Sequence, residues 1–212
     1  MCGRYSAILA PGDFDEHGFA ITHAAWVEFF SDWKPRYNVA PTQRMPVAFT
    51  TDEIVPAEWG LTPHWKKTGP PLFNSRGETI SSKFRNAFET GRCLVLADGF
   101  YEWQKGPDRK SPYRITRANG KAFAFAGVSE SGVGVTRFSI LTTTPNELVS
   151  PIHNRMPVIL DRDAQQAWLT GGADVASAVI APFPATLMKK VRVSTAVNSW
   201  KNDTEEVIRA LD

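Results

Sequence analysis

Cysteine stands second in the chain, in the run Met1-Cys2-Gly3-Arg4. With Met1 removed, Cys2 carries a free α-amine and a thiol on one residue. Such a 1,2-aminothiol condenses with an aldehyde to an imine, and the thiol then closes the imine into a five-membered thiazolidine. The α-amine suits this step, because its pKa of about 7.7–8.0 leaves it partly neutral near pH 7, whereas a lysine at about 10.4 stays charged.

Four further features put chemistry-bearing groups where packing alone does not ask for them. Beside Cys2, Gly3 allows close backbone approach to a ligand, and Arg4 can grip a phosphate with two hydrogen bonds. The run Asn74-Ser75-Arg76-Gly77-Glu78-Thr79 leads into a helix expected over Ile80 to Thr90, whose N-terminus would attract anions, with Arg76, Lys83 and Arg85 adding charge. The plainer alternative is that Thr79 or Ser81 is only an N-cap. In Asp98-Gly99-Phe100-Tyr101-Glu102-Trp103, a carboxylate at the mouth of an apolar strand would have its pKa raised by desolvation and could move protons near neutrality. Alternation along a strand would instead turn Glu102 to solvent. His153 lies in the proline-bounded loop Pro151-Ile152-His153-Asn154-Arg155-Met156-Pro157, and histidine titrates nearest physiological pH. Trp65 beside Lys66 and Lys67 offers a ring on which a nucleic-acid base could stack. Cys93, inside an apolar run, reads as an inert core thiol.

These residues need a frame to hold them. The chain has 212 residues, 42% apolar and 22% charged, as in an ordinary globular protein. Two cysteines argue against a disulfide framework. There is no C-x-x-C or H-E-x-x-H run, so no metal or other cofactor is expected. Neither a signal peptide nor an apolar run of about 18 residues is read, and a cytoplasmic (in a bacterium, nucleoid-associated) monomer is expected. Net charge is +2, yet residues 60–125 hold 12 of the 24 Lys and Arg and only 5 of the 22 Asp and Glu. A middle this basic can form a footprint for phosphate.

Short runs rich in Val, Ile, Phe and Thr read as strands at Val47–Thr50, Ile54–Trp59, Arg92–Ala97, Tyr113–Thr116, Phe123–Val128, Phe138–Thr142, Val158–Leu160 and Val191–Ser194. Asn119-Gly120 reads as a hairpin turn between two of them. A helix is expected within residues 13–33, starting near Thr22, and another over Asp163–Thr170. Arg36 to Thr42 reads as an extended loop between prolines. The pattern predicts an α+β fold: one domain over residues 1–212, with a curved, barrel-like mixed β-sheet core flanked by a few helices.

Together these segments resemble the SOS response-associated peptidase (SRAP) family. The resemblance runs from Met1-Cys2-Gly3-Arg4 through Tyr37-Asn38-Val39-Ala40-Pro41-Thr42 and Trp59-Gly60-Leu61 to the Asn74, Asp98 and His153 runs. It ends with Val193-Ser194, Val197-Asn198 and Lys201-Asn202-Asp203. It implies a protein that captures abasic sites in single-stranded DNA as a stable thiazolidine crosslink, shielding the lesion. Cys2 would be the nucleophile, Asn74 would orient the opened sugar, and Glu102 and His153 would handle protons. Gly3, Arg4, Asn38, Trp65, Arg76, Lys83 and Arg85 would lie along the DNA path. The family name implies an autopeptidase that releases Met1, and an imine that is not trapped implies AP-lyase chemistry. Two other readings stay open: an N-terminal-nucleophile hydrolase acting on other substrates, and a reversible DNA-binding module in which Cys2 is incidental.

Overall fold

A computed structural model describes residues 2–10, 13, 19–22, 24–25, 27, 33–63, 68–107, 110–132 and 135–211, the last two of the 110–132 stretch by backbone only. Its strands are β1 (Arg4–Ala7), β2 (Arg36–Val39), β3 (Arg44–Ala48), β4 (Ile54–Trp59), β5 (Asn74–Arg76), β6 (Arg92–Ala97), β7 (Gly99–Lys105), β8 (Lys110–Arg117), β9 (Phe123–Gly132), β10 (Val135–Thr143), β11 (Met156–Pro157), β12 (Ile159–Leu160) and β13 (Met188–Arg192). The helices are α1 (Ile80–Lys83), α2 (Arg85–Thr90), α3 (Arg162–Thr170) and α4 (Ala173–Ala178).

The most apolar strands close on themselves. β10 pairs β4, β4 pairs β3, β3 pairs β6, β6 pairs β9, and β9 returns to β10. Closure leaves this five-stranded ring without an open edge. The β10–β4 pair is parallel and the others are antiparallel, so the barrel is mixed. A second, five-stranded sheet runs β13-β8-β7-β1-β2. The two share a core: the Tyr5 ring of β1 meets Trp59 of β4 edge-on at 5.2 Å and Phe125 of β9 at 5.7 Å. Five of the six β6 residues are buried, because α3 covers the strand's outer side and Trp168 donates its indole N–H to the Cys93 carbonyl at 3.0 Å. Cys93 is the buried core thiol that its surroundings suggested.

The α+β, barrel-like expectation holds, and several local expectations change. The helix over Ile80 to Thr90 is broken at Phe84, whose φ of −131° and ψ of 42° are not helical. It becomes the two short pieces α1 and α2. Asn119-Gly120 is a turn, with Gly120 at φ 73°, but not of a hairpin. β8 belongs to one sheet and β9 to the other, so the turn carries the chain between sheets. The extended loop over Arg36 to Thr42 contains the strand β2. The helix expected within residues 13–33 falls largely outside the described residues, although the Ala25 amide does reach Thr22 Oγ1 at 3.5 Å.

Candidate active site

Cys2 lies just before β1, which is held between β2 and β7. β1 and β7 pair Arg4 with Tyr101 and Tyr5 with Phe100. One residue further, that register sets Gly3 beside Glu102. The Cys2 side chain is fully buried, and its thiol donates to the Arg4 carbonyl at 3.6 Å. Burial pushes the thiol pKa far above its ordinary value, and the negative charge of Glu102 pushes it the same way. In this environment Cys2 is a thiol at neutral pH, and a nearby base must take its proton before it can attack.

Glu102 is such a group. It is only 2% exposed, so its carboxyl does not turn to solvent as simple alternation allowed. Desolvation raises its pKa, and the electrostatic interaction with His153 works against that rise. Asp98, the other carboxylate of the run, has a different task. It pairs with Arg114 and accepts from the Ile8 amide at 2.9 Å, which ties β1, β7 and β8 together.

Asn74 opens β5, a three-residue strand that pairs in parallel with Ile140–Thr142 of β10. That pairing aims its side chain at the N-terminus, where Nδ2 donates to the Cys2 carbonyl at 2.8 Å. Its Oδ1 is buried and has no hydrogen-bond partner among the described residues. An unfilled acceptor beside a thiol suits a substrate hydroxyl or amine.

His153, the one histidine among the described residues, sits half-buried in the loop before β11. Its Nδ1 lies 3.0 Å from the Arg155 amide, from which it can accept, and 3.1 Å from the Arg155 carbonyl, to which a protonated Nδ1 can donate. The structure thus brings together Cys2, Asn74, Glu102 and His153 from four distant parts of the chain. Direct contact joins Asn74 to Cys2. Electrostatic influence joins Glu102 to Cys2 and to His153.

The residues expected along a DNA path divide. Gly3 is half-buried beside Cys2. Arg76, Lys83 and Arg85 are exposed, the last two flanking the break at Phe84. The helix N-terminus expected near Ile80 is only a four-residue turn, which sums little macrodipole, so any anion attraction there falls to these side chains. Arg4 and Asn38 bond to the C-terminal segment. Arg4 donates to Asn38 Oδ1 at 3.0 Å, to the Val197 carbonyl at 2.9 Å and to the Asn198 carbonyl at 3.1 Å. Asn38 is fully buried, and its Nδ2 reaches the carbonyls of Val197, Ser199 and Asn202 at 2.9–3.1 Å. Trp65 lies outside the described residues.

Two contacts at the site had no counterpart in the sequence reading. Arg155 grips both carboxylate oxygens of Glu78, at 2.5 and 2.8 Å. Trp103 donates to Asn198 Oδ1 at 2.7 Å, and with Lys110 and Thr195 these residues line a cleft of about 550 Å³. Neither Cys2 nor Asn74, Glu102 or His153 lines that cleft. Both contacts join segments more than 70 residues apart, so only the nearness of Arg155 to His153 in sequence could have hinted at one of them. No cluster of three or more His, Cys, Asp or Glu suited to a metal occurs among the described residues, and no helix there is long and apolar enough to cross a membrane.

Comparison with known proteins adds a lineage to this geometry. The family model described as SOS response associated peptidase (SRAP) matches residues 1–200. The abasic site processing protein YoaM of Bacillus subtilis is 35% identical over 229 residues, covering 99% of this chain and 98% of its own. The abasic site processing protein YedK of Escherichia coli is 33% identical, with 99% of each chain covered. The abasic site processing protein HMCES of Xenopus tropicalis is 30% identical over all of this chain and 78% of its own. Among solved structures, a protein of Bacteroides thetaiotaomicron superposes with a TM-score of 0.78 at 26% identity, covering 91% of this chain and 93% of that one.

Proposed function

This chain belongs to the SOS response associated peptidase family, and from that premise we propose that it processes abasic sites in DNA by capturing them covalently on Cys2. The observation that carries the reading is the meeting of the Asn74 amide with the Cys2 carbonyl, beside a buried carboxylate of raised pKa. A thiol, an oriented backbone and a proton carrier are the parts that ring closure on an aldehyde needs.

The steps balance without an oxidant. Hydrolysis of the Met1–Cys2 peptide bond frees the Cys2 amine. An abasic deoxyribose opens to an aldehyde at C1′. The neutral amine adds to C1′, giving a carbinolamine. Glu102 or His153 donates a proton to the departing hydroxyl, and water leaves as the imine forms. The Cys2 thiol then gives its proton to the carboxylate, its sulfur bonds to C1′, and the imine nitrogen takes up a proton. The product is a thiazolidine. If the thiol fails to close, the imine acidifies the C2′ proton and the 3′ phosphate leaves by β-elimination. A missing base also removes the cost of unstacking one, which eases access to the lesion.

The strand that presents the lesion is single, by this reading, and its backbone runs past the exposed Arg76, Lys83 and Arg85. The experiment is denaturing electrophoresis of the purified protein with an abasic single-stranded oligonucleotide. A shifted band that survives denaturation is expected from a chain whose intact mass lacks Met1. No such band, or an equal band from Cys2→Ala, overturns the reading.

A further inference from the structure

Glu78 and Arg155 lie 77 residues apart in sequence and meet in a two-pronged ion pair. Each belongs to a segment that also carries a residue of the site. Glu78 sits in the turn that directly follows β5, the strand that begins with Asn74. Arg155 lies two residues from His153, and its backbone amide can donate to the imidazole Nδ1. The same guanidinium donates to the Thr142 carbonyl at 2.5 Å and to Thr142 Oγ1 at 3.2 Å. Thr142 in turn pairs with Arg76 across β10 and β5 and donates to the Ser75 carbonyl at 3.3 Å. One side chain therefore fastens the His153 loop to the strand that aims Asn74.

Arg155 is the more buried half of the pair and Glu78 the exposed half. The Arg155 side chain is 13% exposed, and its Nε is buried with no hydrogen-bond partner among the described residues. A guanidinium so placed depends on its one carboxylate to offset its charge and fix its plane. Glu78 answers in kind: its hydrogen bond from Arg155 holds its carboxyl below the usual glutamate range, so it stays ionised. The turn that presents Glu78 is itself tightly seated. A Cβ on Gly77 would lie 2.3 Å from Ile180 Cγ2, so only glycine lets the chain pass there.

We propose that Glu78 is a positioning residue for ring closure, acting through Arg155 to fix His153 relative to Asn74 and Cys2. Glu78 touches neither the thiol nor the incoming sugar. Its effect falls on the rate at which the bound lesion reacts and not on how tightly the strand binds. This inference rests on the covalent-capture reading above.

The test compares Glu78→Gln, Arg155→Gln and the double variant, each with Met1 removed. Two quantities are measured: the single-turnover rate of adduct formation at saturating abasic oligonucleotide, and the affinity for the same oligonucleotide with an intact base. Glu78→Gln is expected to lower the saturating rate about tenfold, since small misplacements of reacting groups carry such costs. Its affinity for the intact strand should stay within about twofold of the wild type. In the double variant, Glu78→Gln should add nothing to the loss caused by Arg155→Gln, because Glu78 acts through that residue. A wild-type rate in Glu78→Gln, a loss of affinity in place of rate, or additive losses in the double variant overturns the proposal. If Glu78→Gln fails to fold, Glu78→Asp serves, as it keeps the charge but withdraws it by one methylene, and it should lose most of the same rate. If it matches the wild type, the proposal falls. A wild type that forms no adduct overturns the covalent-capture reading and this proposal with it; a reactive wild type beside an unaffected Glu78→Gln overturns this proposal alone.

Discussion

The side-chain amide of Asn74 holds the backbone carbonyl of Cys2 at 2.8 Å while its own oxygen is buried and unfilled. One side chain thus fixes the nucleophile's backbone and keeps an acceptor ready. Asn74→Asp tests this pairing, because it preserves shape but sets a carboxylate against a carbonyl. Adduct formation is expected to fall about a hundredfold, as when a preorganised donor is removed from a reacting centre. Single-turnover kinetics with thermal denaturation as a control read it. An unchanged rate would show that Asn74 serves packing only.

By the covalent-capture proposal Cys2 reacts only from a free N-terminus, since a preceding residue locks its nitrogen into an amide. A variant that retains residue 1, confirmed by intact mass, should form no denaturation-resistant adduct. It should still bind single-stranded DNA reversibly. Adduct formation by a chain of unprocessed mass would place the chemistry on another nucleophile.

Glu102 makes the stability of the fold depend on pH. Burial raises its pKa in the folded chain above the unfolded value of about 4.3. Between those two values the folded state holds more protons than the unfolded state, so stability contributed by this group falls as pH rises and stays lost above the folded pKa. Glu102→Gln removes that slope. Urea unfolding should find the variant level with the wild type near pH 4 and more stable near pH 8. Its adduct rate should fall about a hundredfold or more, the usual weight of a general acid–base. A variant less stable at pH 8 would contradict the assignment of desolvation as the main cause.

The residues of the expected DNA path separate by burial, and mutation should separate them too. Asn38→Ala removes the amide that reaches the carbonyls of Val197, Ser199 and Asn202, of which Val197 keeps Arg4, and should cost about 2–4 kcal/mol of stability, measured by chemical denaturation. Lys83→Ala and Arg85→Ala should leave stability unchanged. Each should reduce the slope of log affinity against log salt for single-stranded DNA by about 0.7. Loss of stability without loss of salt slope at Lys83 or Arg85 would remove them from the path.

Much of the barrel is legible in the sequence. The runs that form β4, β6, β9 and β10 are apolar, rich in branched and aromatic side chains, and bounded by turn residues. The strands that went unread are β1, β2, β5, β7 and the two-residue β11, and the first four carry Arg4, Asn38, Asn74 and Glu102. The cause is common to all four. A strand that buries a functional polar group breaks the alternation by which strands are recognised, and its compensating partner lies far along the chain. Asn38 is satisfied by residues 197–202, and Arg155 by Glu78. For the same reason the types of Cys2, Glu102 and His153 suggested chemistry, but no local pattern could show that they meet. The break at Phe84 was hidden differently, since residues on both sides of it favour helix.

The grip of Arg4 on the Val197 carbonyl spans 193 residues. During synthesis the N-terminal segment therefore waits for the last part of the chain before it can be closed in. At about 5–20 residues per second, that interval is on the order of ten to forty seconds. Throughout it Arg4 lacks the Val197 and Asn198 carbonyls that hold its guanidinium in the finished fold. The order in which the chain leaves the ribosome thus makes β1 one of the first strands made and one of the last to be fully bonded. Slowing translation of the C-terminal third should lengthen that interval.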